Sequence, residues 1–149
     1  MKKAKKRQCG TCTECCTSLG VKELSKPEGV ACQYLGEKGC GTYDDRPASC
    51  RAFECLWLQG WIDGPFRPDR VGLVFDVATG DVYPQGQALV ARVTRPGAAT
   101  SGDGFVLIQQ LATRMLLVVV EDGNRRLLGP PDQVVIVQRN LILRKTEGD

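Results

Sequence analysis

The reactive side chains of this sequence are concentrated in eight cysteines, all of which lie between positions 9 and 55 of a 149-residue chain. They are spaced as Cys9-x2-Cys12-x2-Cys15-Cys16 and as Cys32-x7-Cys40-x9-Cys50-x4-Cys55. A single buried cysteine is usually a small apolar residue, but eight in so short a stretch need another explanation. Because thiolates bind soft metal ions and iron–sulfur clusters, all eight cysteines are candidate metal ligands.

The spacing of these cysteines favours an iron–sulfur cluster over zinc. Cys9, Cys12 and Cys15 with a remote fourth cysteine resemble the ligation of a 4Fe–4S cluster. Zinc ribbons normally contain two C-x2-C pairs, and the second cysteine group contains none. A 4Fe–4S cluster is therefore the favoured cofactor, with zinc as the alternative. A disulfide framework would need an oxidising compartment and is disfavoured.

The chain contains no histidine, which narrows the chemistry further. This excludes a Ser-His-Asp or Cys-His triad, a histidine general base, histidine-bound haem and Cys/His zinc fingers. The carboxylates are scattered and no nucleophile–base pair is visible. The sequence therefore predicts no catalytic residue and leaves enzyme activity open.

The net charge of +3 comes from the N-terminus alone. Residues 1–7 carry five positive charges, so the rest of the chain carries a net charge of −2. We interpret residues 1–7 as a disordered basic tail. A body without net positive charge and with mostly scattered aromatic residues lacks the features of a nucleic-acid-binding protein.

The sequence also bears on the compartment. No apolar run approaches the ~20 residues that a transmembrane helix needs, and cysteines follow the charged start where a signal peptide would be apolar. We therefore expect a cytoplasmic protein with no membrane partner. Disulfides are rare in the cytoplasm, where dense cysteine patterns more often indicate metal binding or redox chemistry.

The cysteine-rich stretch resembles a known family, the zinc- or iron-chelating CxxCxxCC family of bacterial cysteine-cluster proteins. The matching elements occur in order at residues 9–16, 32–35, 40–43 and 46–55, about a third of the chain. The family tends to place an aliphatic residue before the tyrosine, where this chain has Thr42. The resemblance implies that all eight cysteines are candidate ligands, but it implies neither a particular metal nor an activity.

Two arginines are candidates for neutralising a buried thiolate centre. A metal held by four thiolates is anionic, and burying that charge requires nearby donors or cations. Arg46 and Arg51 bracket Cys50, so we assign them to cofactor binding. The alternative is that they pair at the surface with neighbouring carboxylates, which are Asp44, Asp45 and Glu54.

The pattern beyond the cysteines predicts an α+β fold. Residues 8–64 form an irregular cysteine-cluster region, and residues 65–149 form a small α+β region packed against it as one unit. Predicted strands, in a mainly antiparallel sheet, span residues 71–78, 87–94, 116–121 and 125–128. A helix is predicted over 105–113 with Ser101 and Asp103 as caps, the ambiguous segment 131–144 favours helix, and 56–62 is apolar and helix-like.

These observations support two hypotheses of different classes. The first is a metal-binding protein that holds an iron–sulfur cluster and serves redox, electron-transfer or metal-handling chemistry. The second is a binding module in which structural zinc folds the N-terminal region, while the α+β region or the basic tail contacts a protein partner.

Overall fold

A computed structural model describes residue 7, residues 12–37 and residues 39–147. The larger half contains a short helix, four strands and two longer helices. These elements are α3 (Pro68–Val71), β3 (Leu73–Thr79), β4 (Gln87–Val93), α4 (Gly102–Ala112), β5 (Leu117–Glu121), β6 (Asn124–Leu128) and α5 (Pro131–Glu147). The cysteine-rich half is built from α1 (Glu14–Ser18), β1 (Leu35–Gly36), β2 (Gly39–Cys40), α2 (Ala48–Ala52) and short 3-10 turns.

The four longer strands form one sheet in the order β3-β4-β5-β6. The pairs β3–β4 and β5–β6 are antiparallel, whereas β4 and β5 are parallel because the chain returns through α4. The tight turn between β5 and β6 has Asp122 and Gly123 at φ 51° and 77°, the positive values that a two-residue hairpin turn favours. The predicted α+β class with a mainly antiparallel sheet is confirmed.

Each face of this sheet is covered by one of the long helices. Leu73, Phe75 and Leu117 lie on one face in a core that includes Leu107 and Ile108 of α4. The opposite face packs Val90, Val118 and Val120 against Val137 of α5. The alternation follows from the two-residue period of a strand, and it explains why both helix predictions hold.

Three local predictions are wrong. Residues 56–62 form consecutive turns instead of a helix, because the Leu56 amide donates to Phe75 of β3 and Gly60 has a φ of 90°. The strand predicted from residue 71 begins at Leu73, since α3 ends at Gly72 in the left-handed conformation. Ser101 makes no side-chain cap, and its hydroxyl donates to the Gly97 carbonyl.

Arg7 attaches the N-terminal segment to the turns that follow the last cysteine. Its guanidinium donates to the carbonyls of Trp57 (2.6 Å) and Ile62 (2.5 Å), and it lies 5.0 Å from the centre of the Trp57 ring. The Trp57 indole N–H in turn donates to the Gly64 carbonyl at 3.0 Å. Arg7, which the sequence placed in the basic tail, is thus held in place, while residues 1–6 of that prediction lie outside the described residues.

Within the part of the chain that the structure describes, no helix combines the length and the apolar character needed to cross a membrane. The longest helix, α5, carries charged residues at both ends, with Asp132 in its first turn and Arg144 and Lys145 in its last.

Gly104 offers a test of this packing. A Cβ at this position would overlap the Ala98 carbonyl oxygen and lie 3.0 Å from the Val71 carbonyl oxygen, so α4 could not approach its neighbours as closely. We expect Gly104→Ala to lower the free energy of unfolding by about 1–3 kcal/mol in urea denaturation. Gly64→Ala is the matched control, because nothing lies within 4 Å of its Cβ, and we expect a change within about 0.5 kcal/mol. Equal stabilities of the two variants would contradict this account.

Candidate functional site

Helix α1 carries Cys15 and Cys16, and its C-terminal end organises the segment that follows. Five residues are too few to satisfy the carbonyls of a helix internally, so partners from elsewhere are needed. The Leu19 amide donates to the Cys15 carbonyl (3.2 Å), the Cys32 amide to the Cys16 carbonyl (3.0 Å), and the Gly29 amide to the Ser18 carbonyl (3.3 Å). The segment 19–32 therefore folds back over α1 and brings Cys32 next to Cys16.

The side chain of Lys26 is a further hydrogen-bond donor at the C-terminal end of α1. Its side chain is buried, with 9% of the residue exposed, and its ammonium donates to the carbonyls of Thr17 (3.3 Å), Leu19 and Pro27 (3.4 Å). A backbone bridge with Val21, of 2.9 and 3.0 Å, fixes the position of Lys26. A cation at the C-terminal end of a helix is also favoured by the helix dipole.

Cys40 and Cys50 are held by separate short elements. Cys40 lies on β2, opposite Leu35 of β1, and its Sγ is 4.0 Å from the Thr42 hydroxyl. Cys50 lies on α2, and the preceding Ser49 donates a 2.5 Å hydrogen bond to Glu23. Since Glu23 belongs to the 3-10 turn Lys22–Leu24, this bond ties α2 to the segment that carries Lys26.

The thiols of these elements lie within electrostatic range of one another. Burial raises the pKa of Cys50, and the neighbouring Cys16, Cys32 and Cys40 raise it further. The buried ammonium of Lys26 interacts with the same group: burial lowers its pKa, and the charges of Cys32, Cys16, Cys50 and Cys15 oppose that shift. Four of the predicted ligands thus act on the buried Lys26 ammonium, and a fifth, Cys40, acts on Cys50.

The Cys16 thiol ionises more readily than an ordinary cysteine thiol. A hydrogen bond from the Cys15 thiol is the largest cause that lowers the Cys16 pKa, from its ordinary value of 9.0 to about 7. Burial opposes the shift, while the positive charges of Lys26 and Arg46 support it. A substantial share of Cys16 is therefore thiolate, the form that binds metals, at neutral pH.

The other predicted cysteine ligands lie elsewhere. Burial raises the pKa of Cys12, whose sulfur accepts hydrogen bonds from the backbone amides of Glu14 and Asp69, the latter on α3. Cys55 is buried in the apolar core beside Trp57. Cys9 lies outside the described residues. The grouping of Cys9, Cys12 and Cys15 on which the spacing argument rested is thus not visible in the described residues.

The charges around the thiols differ in part from those that the sequence suggested. Arg46 lies close enough to lower the pKa of Cys16, whereas the side chain of Arg51 lies outside the described residues. The residue that sequence analysis missed is Lys26. Its neighbours Lys22, Glu23 and Glu28 give the segment the pattern of an exposed charged loop. The only available signal was Pro27, which disfavours helical backbone at Lys26.

The segment that holds Lys26 also contacts the sheet. Glu28 forms ion pairs with Arg92 of β4 and, at 3.3 Å, with Arg125 of β6. Both arginines are in register with Val120 of β5, so they lie on the face of the sheet that α5 covers. Residues 26–28 therefore connect the neighbouring thiols to the sheet. Lys26 interacts with the thiols through its charge, and Glu28 pairs with the arginines of the sheet.

Among the described residues, no three cysteine, aspartate or glutamate side chains are arranged closely enough to hold a metal ion. The structure also shows no disulfide between the described cysteines. The chemistry of the donors nevertheless suits a soft metal, since thiols converge on a buried cation and one of them ionises near neutral pH. Among the described residues, the thiols therefore lie near one another but do not form a metal coordination shell.

Comparisons of the chain with protein-family models, with curated proteins and with solved structures found no match. The resemblance of the cysteine pattern to the CxxCxxCC family therefore stays a prediction.

The low pKa of Cys16 predicts selective reactivity. In the reduced, chelator-treated protein, iodoacetamide should alkylate Cys16 with a pH midpoint near 7, and Cys50 and Cys12 only at higher pH. Because folding lowers this pKa, the stability that the thiolate contributes should build between pH 7 and 9 and be lost as the pH falls through 7. Peptide mass spectrometry measures the site-specific rates.

Matched variants identify the cause of this shift. Cys15→Ala removes the hydrogen bond to Cys16 and should raise the alkylation midpoint of Cys16, whereas Cys12→Ala should leave it unchanged. A Cys16 alkylation midpoint near pH 9 in the parent protein, or a midpoint that Cys15→Ala does not change, would show that this hydrogen bond does not lower the pKa of Cys16.

Proposed function

We propose that the cysteine-rich half holds a metal centre through the thiolates of Cys16, Cys32, Cys40 and Cys50. The observation that carries the proposal is the electrostatic grouping of these four thiols, in which Cys50 is influenced by the other three. Four thiolates are the usual complement of a structural zinc ion or of an iron–sulfur cluster. The iron–sulfur cluster predicted from the sequence stays the proposed occupant, with a redox, electron-transfer or metal-handling role; the spacing behind that prediction uses Cys9, Cys12 and Cys15 instead of these four ligands, so metal analysis decides between the cluster and zinc.

The surroundings support this assignment through charge. Four thiolates around Zn²⁺ leave a net charge of −2, and a cluster with four thiolates is also anionic, so nearby positive charge is needed. Lys26 and Arg46 both influence Cys16 in this way. The Cys15 thiol, which donates to the Cys16 sulfur, is placed to tune the centre without acting as a ligand.

The proposed centre also bears on compartment and activity. Ligation requires reduced thiols, which a cytoplasmic setting maintains. The proposal gives the cysteines a binding role and assigns no catalytic residue to the chain, so it leaves enzyme activity open.

A second function, a zinc-folded protein-interaction module, is favoured by one feature of α5. Val135 and Ile142 lie seven residues apart on this helix and are 61% and 63% exposed. Residues at this spacing share one helix face, and exposed apolar rows of this kind bind protein partners. In this alternative the same four thiolates hold zinc, and the metal contributes only folding energy.

Metal analysis separates the two functions. Protein purified without oxygen or chelator should contain iron and acid-labile sulfide with a broad visible absorption if the centre is an iron–sulfur cluster. Stoichiometric zinc without sulfide would instead support the interaction module. Protein that contains neither metal, and that binds none when reconstituted under reducing conditions, would contradict the proposal.

Single substitutions test which thiols are ligands. Cys16→Ser, Cys32→Ser and Cys50→Ser should each lower bound metal to less than half of the parent content, since each removes one of four ligands. Cys15→Ser is the matched control, because it neighbours Cys16 but keeps a hydroxyl donor, and Cys12→Ser is a second control beside α3. Equal metal content in all five variants would rule out the assignment.

A further inference from the structure

A cleft of about 610 Å³ lies where the cysteine-rich half meets the sheet. It is lined by the end of α1, by residues 28 and 29, by the carboxyl ends of β4 and β5, and by the turn that follows β5. Strands β4 and β5 are the parallel pair of this sheet, and ligands commonly bind outside the carboxyl ends of parallel strands. The volume of the cleft is in the range that accommodates a small organic molecule.

Buried polar atoms without a hydrogen-bond partner are concentrated at this cleft. Ser18 Oγ, Thr94 Oγ1 and Arg92 Nε are buried, and none has such a partner within the part of the chain that the structure describes. All three atoms belong to residues that line the cleft, and Ser18 as a whole is only 5% exposed. Unpaired buried polar atoms are rare because they cost stability, and proteins tolerate such costs mainly at functional sites.

The backbone on both sides of the cleft holds the two hydroxyls in place. The Gly29 amide donates to the Ser18 carbonyl at 3.3 Å, and the Thr94 amide donates to the Gly72 carbonyl at 2.9 Å. Rotation about one side-chain bond redirects each hydroxyl, which can then donate to or accept from another group. A molecule that enters the cleft therefore meets polar side chains on a fixed backbone.

The charges at the cleft indicate what kind of molecule it would bind. Glu28 forms ion pairs with both Arg92 and Arg125, so these three side chains leave one net positive charge. Glu121 and Asp122 also line the cleft, and the structure shows no ion pair between them and an arginine of the described segments. Separate positive and negative charges are complementary to a zwitterion, which carries a carboxylate and an ammonium.

We propose that this cleft binds a free amino acid. The carboxylate of the ligand accepts hydrogen bonds from Arg92 Nε and from the hydroxyls of Ser18 and Thr94. Its ammonium lies toward the carboxylates of Glu121 and Asp122. The described lining contains no cysteine, so this inference goes beyond the metal centre proposed above and does not depend on it.

A first experiment tests whether both charges of the ligand are needed. Each common L-amino acid is titrated at pH 7 into the reduced, full-length protein by calorimetry, and acetate and methylammonium serve as controls that carry one charge each. We expect at least one amino acid to bind about tenfold or more tightly than either control, because its two charged groups are bound together. No binding by any amino acid, or equal affinity for acetate or methylammonium, would overturn the proposal.

Two variants separate ligand binding from folding. Ser18→Ala and Thr94→Val each remove a buried hydroxyl without a partner, so the melting temperature of the ligand-free protein should not fall. The affinity for the amino acid that binds best should decrease roughly tenfold in each variant, since each loses a hydrogen bond to a carboxylate. Ser101→Ala is the matched control, because its hydroxyl donates to the Gly97 carbonyl and lies outside the cleft lining, and its affinity should equal that of the parent. Lower melting temperatures in both cleft variants, or parent-like affinity in both, would overturn the proposal.

Asp122→Asn tests where the ammonium lies. Asparagine tolerates the positive φ of 51° at this position, so the turn is retained. Loss of this negative charge should weaken binding of the amino acid but strengthen binding of acetate, which has no ammonium and is repelled by Asp122 in the parent. Asp103→Asn, an exposed change outside the cleft lining, is the control that should alter neither affinity. A shift of both affinities in the same direction would overturn the orientation assigned to the ligand.

Discussion

The ammonium of Lys26, buried against the carbonyls at the end of α1, is the interaction on which the cysteine-rich half depends. Helix α1 is too short to satisfy its own terminal carbonyls, so the following segment must turn back to supply donors. That return carries Cys32 to Cys16 and, through Glu23 and Ser49, joins α2 to the same group. Backbone hydrogen bonds and one buried charge thus perform the organising role that an apolar core performs in the sheet.

The two halves of the molecule are joined on both faces of the sheet. On the face covered by α4, Cys55 and Trp57 extend the apolar core. On the face covered by α5, Glu28 pairs with Arg92 and Arg125, which lie on β4 and β6, the two strands that flank β5. One attachment is apolar and the other is ionic, so the cysteine-rich half is anchored by two different physical forces. Cys32, Cys40 and Cys50 lie between these attachments in the sequence, whereas Cys15 and Cys16 precede Glu28.

The sheet could be predicted from sequence, but the thiol group could be predicted only in part. Strands and helices of the second half follow apolar periodicity and turn residues, which local patterns report well. The fold of the cysteine-rich half depends on contacts between distant residues, such as Cys32 with Cys16 and Leu56 with Phe75. No local sequence pattern indicates these contacts. The turns at 56–62 resembled a helix because their apolar residues were visible and the pairing of Leu56 with β3 was not. Lys26 was missed for a similar reason, since Pro27 restricts the backbone at Lys26 but does not indicate that this lysine is buried.

The contact between Arg7 and Trp57 closes a long loop of the chain. The two residues are fifty positions apart, and all eight cysteines lie on the stretch between them. Closing such a loop removes part of the chain entropy that would otherwise oppose the gathering of distant thiols. The contact that closes the loop consists of hydrogen bonds and of a cation over an aromatic ring, so it can open and close reversibly, unlike a covalent link.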